Sequence, residues 1–388
     1  MGTREKHKMK LLTVIGARPQ IIKAAAVSRA IANKYAGVVE EVILHTGQHY
    51  DENMSKVFFD ELGIPQPMYN LGVGSGKHGE QTAKMIDGIE KVLLEDHYDG
   101  IVLYGDTNST IAGSVAASKI HVPIFHIEAG LRSFNMSMPE EINRIVCDQL
   151  SSICFAPTET AVCNLRNEGF MESTATFLNG KKRIVKNCGD VMYDNSMYFA
   201  PLAHAKSTIL RDNELVKNDF ILATIHRPYN TDSTERLSSI LSSLLAISEQ
   251  YDVKLVFPLH PRTKNLLSKN LDSALHLKLM ESCRVNIIPP ASFFDMIELE
   301  TNARIIMTDS GGVQKEAFFF ERPCVILRPE TEWVEIVDNG AGVVADADFY
   351  RITTAYDQLC NQKVTFPKLF GDAHAAEHLV ESIIEYLF

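Results

Sequence analysis

Residues 100–144 read G-I-V-L-Y-G-D-T-N-S-T-I-A-G-S-V-A-A-S-K-I-H-V-P-I-F-H-I-E-A-G-L-R-S-F-N-M-S-M-P-E-E-I-N-R. Two apolar, strand-like runs, 100–104 and 122–127, frame a helical run, and each delivers a carboxylate at its C-terminal end: Asp106 and Glu128. A third acidic pair, Glu140 and Glu141, follows Pro139. Proline suits the first turn of a helix, so a helix start is expected there. Short apolar strands alternating with helices predict a parallel sheet covered on both faces. In open sheets of that kind, ligands bind beyond the carboxyl ends of the strands. Acids gathered there point to chemistry more than to solvation.

The same grammar extends towards the N-terminus. Residues 11–15 are an apolar strand ending at Gly16, followed by Ala17-Arg18-Pro19-Gln20 and a helix with Ala24, Val27 and Ile31 on one face. Free N–H groups and the helix dipole make such a start an anion site, and Arg18 and Lys23 add cations. Residues 41–45 form a second strand, followed by Thr46-Gly47-Gln48-His49. Gly74, Gly76 and Gly79 formally match G-x-G-x-x-G, but the preceding 65–71 holds two prolines and makes a poor strand. The dinucleotide fingerprint needs a strand before it, so 72–79 is read as a Gly-rich loop before helix 80–95. Strands at 153–156 and 183–186 complete the half, and 189–217 is the expected linker.

The second half repeats the pattern with strands at 220–224, 254–258, 285–288, 304–307 and 324–327. His226-Arg227 and His260-Pro261-Arg262 follow two strand ends. Thr308-Asp309-Ser310-Gly311-Gly312-Val313-Gln314-Lys315-Glu316 reads as strand, small-residue turn and helix start. Such a turn lets backbone approach a phosphate at the helix N-terminus. It carries no P-loop lysine.

The chain has 388 residues, 45% hydrophobic and 22% charged, which suits a globular protein of two domains. A net charge of −11 argues against nucleic acid or an anionic membrane as partner. The seven cysteines form no C-x-x-C pair. They suggest a reducing compartment, with cysteine used as a small core residue. No apolar run approaches the roughly 18 residues of a membrane span, and a cytoplasmic enzyme is expected.

Gly16-Ala-Arg-Pro, Gly105-Asp-Thr, His126-Ile-Glu-Ala-Gly-Leu-Arg, Pro139-Glu-Glu-Ile-Asn-Arg, His226-Arg and Thr308-Asp-Ser-Gly-Gly-Val-Gln occur in that order. Together they closely resemble the non-hydrolysing UDP-N-acetylglucosamine 2-epimerases, from about Met9 to the C-terminus. The resemblance implies a GT-B fold of two Rossmann-like, doubly wound α/β domains facing a central cleft. These would be residues 9–190, with helix 373–388 packing back on them, and residues 191–372, which would bind UDP. It implies neither NAD nor a metal. The reaction implied is C2 epimerisation by elimination of UDP, giving a 2-acetamidoglucal, and re-addition after reprotonation on the other face. By motif match Asp106, Glu128 and Glu140 become the acid/base candidates, with His226 near the diphosphate; which acid serves which face stays open. Arg18, Lys23 and Arg144 would bind the sugar diphosphate, and Ser310, Gly311, Gly312 and Glu316 phosphate and ribose. Gln48, His49 and His260 match parts of the region where bacterial members bind a second UDP-sugar as activator. A homodimer and a role in surface polysaccharide synthesis are further expectations.

Three departures from the family pattern bear on substrate. Ala17 and Gln20 replace the usual Thr and Glu. Met296 stands where many members hold an aromatic against uracil, with Phe293 and Phe294 close by. The Ser133-Phe-Asn-Met-Ser-Met segment resembles a branch that includes epimerases of UDP-2,3-diacetamido-2,3-dideoxyglucuronate, leaving the C3 and C6 substituents open. A hydrolysing epimerase, a GT-B glycosyltransferase and a non-catalytic nucleotide-sugar binder are the competing classes.

Overall fold

The computed structural model describes residues 8–47, 59, 62–171, 180–259, 267 and 269–388. The chain divides into two compact units, Met1–Asn195 with Lys368–Phe388, and Ser196–Pro367.

Unit 1 holds a seven-stranded sheet: β1 (Met9–Ile15), β2 (Val39–His45), β3 (Tyr69–Asn70), β4 (Gly100–Tyr104), β5 (Ile124–Ile127), β6 (Ile153–Ala156) and β7 (Ile184–Asn187). Their spatial order is β3-β2-β1-β4-β5-β6-β7, all parallel. Every residue of β4 and β5 is buried. That explains the unbroken apolar runs, since a parallel sheet is covered on both faces. One face packs Leu12, Val14, Leu44, Ile101 and Leu103 against Met85, Ile89, Ala112 and Ala116 of two helices. The tight first turn follows from Gly16, where a Cβ would lie 2.2 Å from both Ser109 Oγ and Thr46 Oγ1.

Unit 2 repeats the plan with β8 (Phe220–Thr224), β9 (Lys254–Pro258), β10 (Val285–Ile288), β11 (Ile305–Thr308), β12 (Cys324–Ile326) and β13 (Gly342–Val344). The order is β10-β9-β8-β11-β12-β13, again all parallel. In each sheet the strand order reverses once, between β1 and β4 and between β8 and β11. Those switch points are where doubly wound sheets open a crevice for ligands.

Some local expectations need revision. A two-residue strand, β3, pairs with β2 inside the proline-containing 65–71 stretch. The stretch 189–217, helix-prone in sequence and read as the linker, does form helices, Val191–Lys206 and Ile209–Asp212. The C-terminal helix Ala375–Leu387 is capped by Asp194, whose oxygens accept from Ala375 N at 3.0 Å and Ala376 N at 2.8 Å. Burial pushes the Asp194 carboxyl up to about 6 in spite of those two bonds. The native state therefore holds this proton more tightly than the unfolded chain does. Its contribution is full below pH 4 and is lost as pH rises through about 6. Urea unfolding of Asp194→Asn should accordingly gain about 2–3 kcal/mol relative to wild type between pH 4 and pH 7.

Candidate active site

Register builds the first cluster. Tyr104 on β4 pairs with Ile127 on β5, and Gly105 N donates to Ile127 O at 3.0 Å. The residues just beyond, Asp106 and Glu128, therefore emerge side by side at the carboxyl ends of β4 and β5, next to the β1/β4 switch point. Gly105 has φ +63°, and a Cβ there would lie 3.1 Å from Lys23 Nζ and 3.2 Å from Glu128 Oε2, so only glycine fits without displacing them. Glu128 itself adopts φ +73°, a conformation costly for a residue with a side chain. Phe155 O holds it there, accepting from Glu128 N at 3.1 Å and Ala129 N at 3.0 Å.

Cations and acids interleave around this turn. Lys23 is ion-paired with Glu128. Arg144 reaches Asp106 Oδ2 with Nη2 at 2.7 Å and Glu141 Oε2 with Nη1 at 2.6 Å. Burial pushes the Asp106 carboxyl above the usual range; Arg144 and Lys23 pull it down, while Glu128 and Glu140 push it further up. Asp106 is not the helix cap that its position before a helix could suggest. Thr107 is the N-cap of Asn108–Lys119, and its hydroxyl accepts from Ser109 N. Nor is Glu128 simply the partner of Arg132, whose guanidinium reaches Asp148 at 2.8 Å and Glu168 at 2.6 Å.

The tandem glutamates have separate fates. Glu141 is buried and accepts from Ser133 N, Ser133 Oγ, Phe134 N and Arg144. It folds the 131–138 loop back onto its own helix. Glu140, half-buried, makes no hydrogen bond or ion pair with the described residues, yet its charge acts on Asp106. Arg18 is exposed at the first position of the helix that carries Lys23. Gln20 replaces a charge with a four-way amide. Its oxygen accepts from Gly16 N and Ala17 N, and its nitrogen donates to Tyr104 O and Thr110 Oγ1.

The second cluster lies in unit 2. Thr224 on β8 pairs with Thr308 on β11, so His226 and the Asp309-Ser310 turn emerge together. Asp309, fully buried, accepts from the backbone N–H of His226 and Arg227 and from Asn230 Nδ2 at 3.0–3.2 Å, and lies 3.2 Å from His226 Nδ1. Ser310 caps the helix Gly311–Phe319, accepting from Val313 N. A Cβ at Gly311 would meet nothing closer than Arg328 Nη1 at 3.6 Å, and one at Gly312 nothing closer than Ser310 Oγ at 3.8 Å. The protein's own packing thus does not require these glycines, although each weakens a helix start. Glu316 is half-buried on the same helix. Beside it Glu300 is fully buried without a hydrogen-bond partner among the described residues, and burial, then the Glu316 charge, push its carboxyl far up. Met296 packs against the core around Leu299 and Ile306. The Phe293 and Phe294 rings lie tilted to one another, with centroids 5.7 Å apart.

Gln48, His49 and His260 lie outside the described residues. Asp148, Asp309 and Asn143, whose Nδ2 donates to Asp106 O at 2.9 Å, are given no role in the sequence reading. Glu141, Arg144 and Asp148 fall at i, i+3 and i+7, one face of a helix, and buried charge at that spacing was the available signal. Among the described residues, no group of three or more His, Cys, Asp or Glu could hold a metal, and no helix is long and apolar enough to cross a membrane.

Comparison with known proteins completes this picture. The sequence model of the family described as UDP-N-acetylglucosamine 2-epimerase matches residues 32–384. A UDP-N-acetylglucosamine 2-epimerase homolog from Methanococcus maripaludis is 45% identical over 374 residues, covering 96% of this chain and 99% of that protein. The UDP-2,3-diacetamido-2,3-dideoxy-D-glucuronate 2-epimerase of Pseudomonas aeruginosa is 49% identical over 340 residues, 87% of this chain and 89% of that one. The crystal structure of the Methanocaldococcus jannaschii UDP-GlcNAc 2-epimerase, in complex with UDP-GlcNAc and UDP, matches with a TM-score of 0.83 at 40% identity. That match covers 97% of this chain and all of the other. The two doubly wound sheets and these relatives define a GT-B-like α/β enzyme of the isomerase class. The chain belongs to the UDP-N-acetylglucosamine 2-epimerase family.

Proposed function

We propose that this chain interconverts UDP-N-acetylglucosamine and UDP-N-acetylmannosamine without hydrolysis, by eliminating UDP to a 2-acetamidoglucal and adding it back. The observation that carries this is the cluster at the unit 1 switch point: an Asp106 carboxyl raised above its ordinary range beside Glu128, Lys23 and an uncommitted Glu140. Removing and returning a proton at C2 requires acids that exchange protons near neutral pH. In this reading Asp106, Glu128 and Glu140 handle the C2 proton. Lys23, Arg18 and Arg144 bind the sugar diphosphate. In unit 2, Ser310, Gly311 and Gly312 hold phosphate, Glu316 the ribose, and His226 acts near the departing diphosphate. The enzyme would work in the cytoplasm as a homodimer, supplying surface polysaccharide synthesis such as that of lipopolysaccharide. It would need neither cofactor nor metal.

A second reading, C2 epimerisation of UDP-2,3-diacetamido-2,3-dideoxyglucuronate, is favoured by the 49% identity to the Pseudomonas enzyme. Incubation with each nucleotide sugar, followed through the anomeric proton signals, separates the two. Turnover of neither sinks both, and free sugar with free UDP indicates hydrolysis instead.

The glutamate pair gives a sharper internal test. Glu141→Gln should destabilise the fold by about 2–4 kcal/mol, because it breaks a buried pair with Arg144 and a loop anchor. Glu140→Gln should leave the melting temperature unchanged yet lower kcat about 100-fold. Equal effects of the two substitutions on melting and turnover would contradict this division.

A further inference from the structure

Behind the unit 1 cluster sits a buried ion pair that the acid/base assignment does not use. His126 Nδ1 lies 2.7 Å from Asp148 Oδ1, and its Nε2 lies 2.8 Å from the carbonyl oxygen of Gly105. Both ring nitrogens face oxygens that only accept. A neutral imidazole would aim a lone pair at one of them, so the ring donates from both sides and is an imidazolium. His126 and Asp148 are both fully buried. Burial opposes the charge, but Cys147 and Asp148 outweigh it and hold His126 protonated well above its ordinary range. The second oxygen of Asp148 accepts from Gly130 N at 3.1 Å and lies 2.8 Å from Arg132 Nη1.

The two backbone groups in this arrangement belong to the two turns that matter. Gly105 precedes Asp106, and Gly130 follows Glu128 by two residues. We propose that the His126–Asp148 pair is a positioning element for the reaction, clamping the Asp106 turn and the Glu128 turn to one buried anchor. The peptide is planar and trans, so pinning Gly105 O directs the Asp106 N–H the opposite way. No described residue accepts from that N–H. The pair also helps to hold Glu128 in its unfavourable φ, since Gly130 is tied down two residues later. This inference rests on Asp106 and Glu128 being the reacting acids.

The charge environment yields a readout that mere packing would not give. Asp106 is faced by Arg144, Lys23, Glu128 and Glu140; His126 is faced by Asp148 and Cys147, with Arg132 beyond Asp148. His126 reaches Gly105 O, one residue before Asp106, so loss of the imidazolium removes a positive charge from behind that turn and should raise the Asp106 pKa. The experiment uses full-length wild type, His126→Gln, Asp148→Asn and the double variant, on whichever UDP-sugar the wild type turns over. His126→Gln keeps one donor and loses the charge. Each single substitution should lower kcat by about 30–100-fold with KM within about threefold. The double variant should lose no more than the worse single, because the two residues act as a unit. In His126→Gln the acid limb of kcat/KM should move up by about one pH unit. If that variant does not fold, Asp148→Asn carries the same kcat and KM test. A kcat within threefold of wild type with an unmoved acid limb overturns the proposal. So does a loss that merely tracks the unfolded fraction by circular dichroism. Wild-type protein that turns over no UDP-sugar refutes the functional reading instead.

Discussion

Asp106→Asn should lower the rate of UDP-N-acetylglucosamine epimerisation by about 1,000-fold while UDP affinity stays within about threefold. The amide keeps the side chain's shape and can still accept from Arg144, whose Nη2 lies 2.7 Å from Asp106 Oδ2. It cannot exchange a proton with C2. In the proposed reading Ser310, Gly311, Gly312 and Glu316 of unit 2 still hold UDP, and Arg144, which shares the diphosphate, keeps an acceptor in the amide oxygen. Calorimetry with UDP and a turnover assay on the same preparation separate the two effects. A variant that turns over normally would move the chemistry away from the β1/β4 switch point. For the wild type, the raised Asp106 carboxyl places the acid limb of kcat/KM above the ordinary carboxylate range.

Gly311→Ala should weaken UDP binding at least 10-fold and leave the fold intact or slightly firmer. The new Cβ would meet its nearest neighbours at 3.6–3.7 Å, ordinary contact distances. Gly311 opens its helix directly after the Ser310 cap, where alanine is tolerated at least as well as glycine, so nothing in the protein resists it. A phosphate drawn against the Ser310-Gly311-Gly312 backbone would resist it, because the methyl takes the space between. Unchanged UDP affinity would contradict a phosphate contact at this helix start. Destabilisation without loss of binding would contradict the packing argument as well.

Much of the fold could be read from the chain, for a definite reason. Parallel strands buried on both faces appear as short apolar runs, and 100–104, 153–156 and 220–224 coincide with β4, β6 and β8. The strands that escaped are among the shortest: β13, Gly342–Val344, is apolar but only three residues long. β3 has two residues, half-exposed Tyr69 and exposed Asn70, and takes its place by pairing with β2. The first helix runs on into a π-helical turn, Ile31–Tyr35, which no periodicity announces.

The site was legible at strand ends and opaque behind them. Asp106 and Glu128 follow apolar runs directly, so their convergence needs only the parallel pairing of β4 and β5. Glu140 and Glu141 are adjacent in sequence, and what separates them is the azimuth of one helix and a loop that folds back upon it. The His126–Asp148 contact joins residues 22 apart on a strand and a helix, and only the packing of one on the other reveals it. Likewise Asp309 looked like part of a turn until it proved to anchor three donors from the His226 segment.

The most direct test runs the wild-type enzyme on UDP-N-acetylglucosamine in D2O and follows the sugar by proton NMR. The expected product is UDP-N-acetylmannosamine, with deuterium at C2 of every molecule that has passed through the site, and no such label in the Asp106→Asn variant over the same time. An epimer formed with its C2 hydrogen retained, or full labelling by the variant, would contradict the proposed roles of these acids.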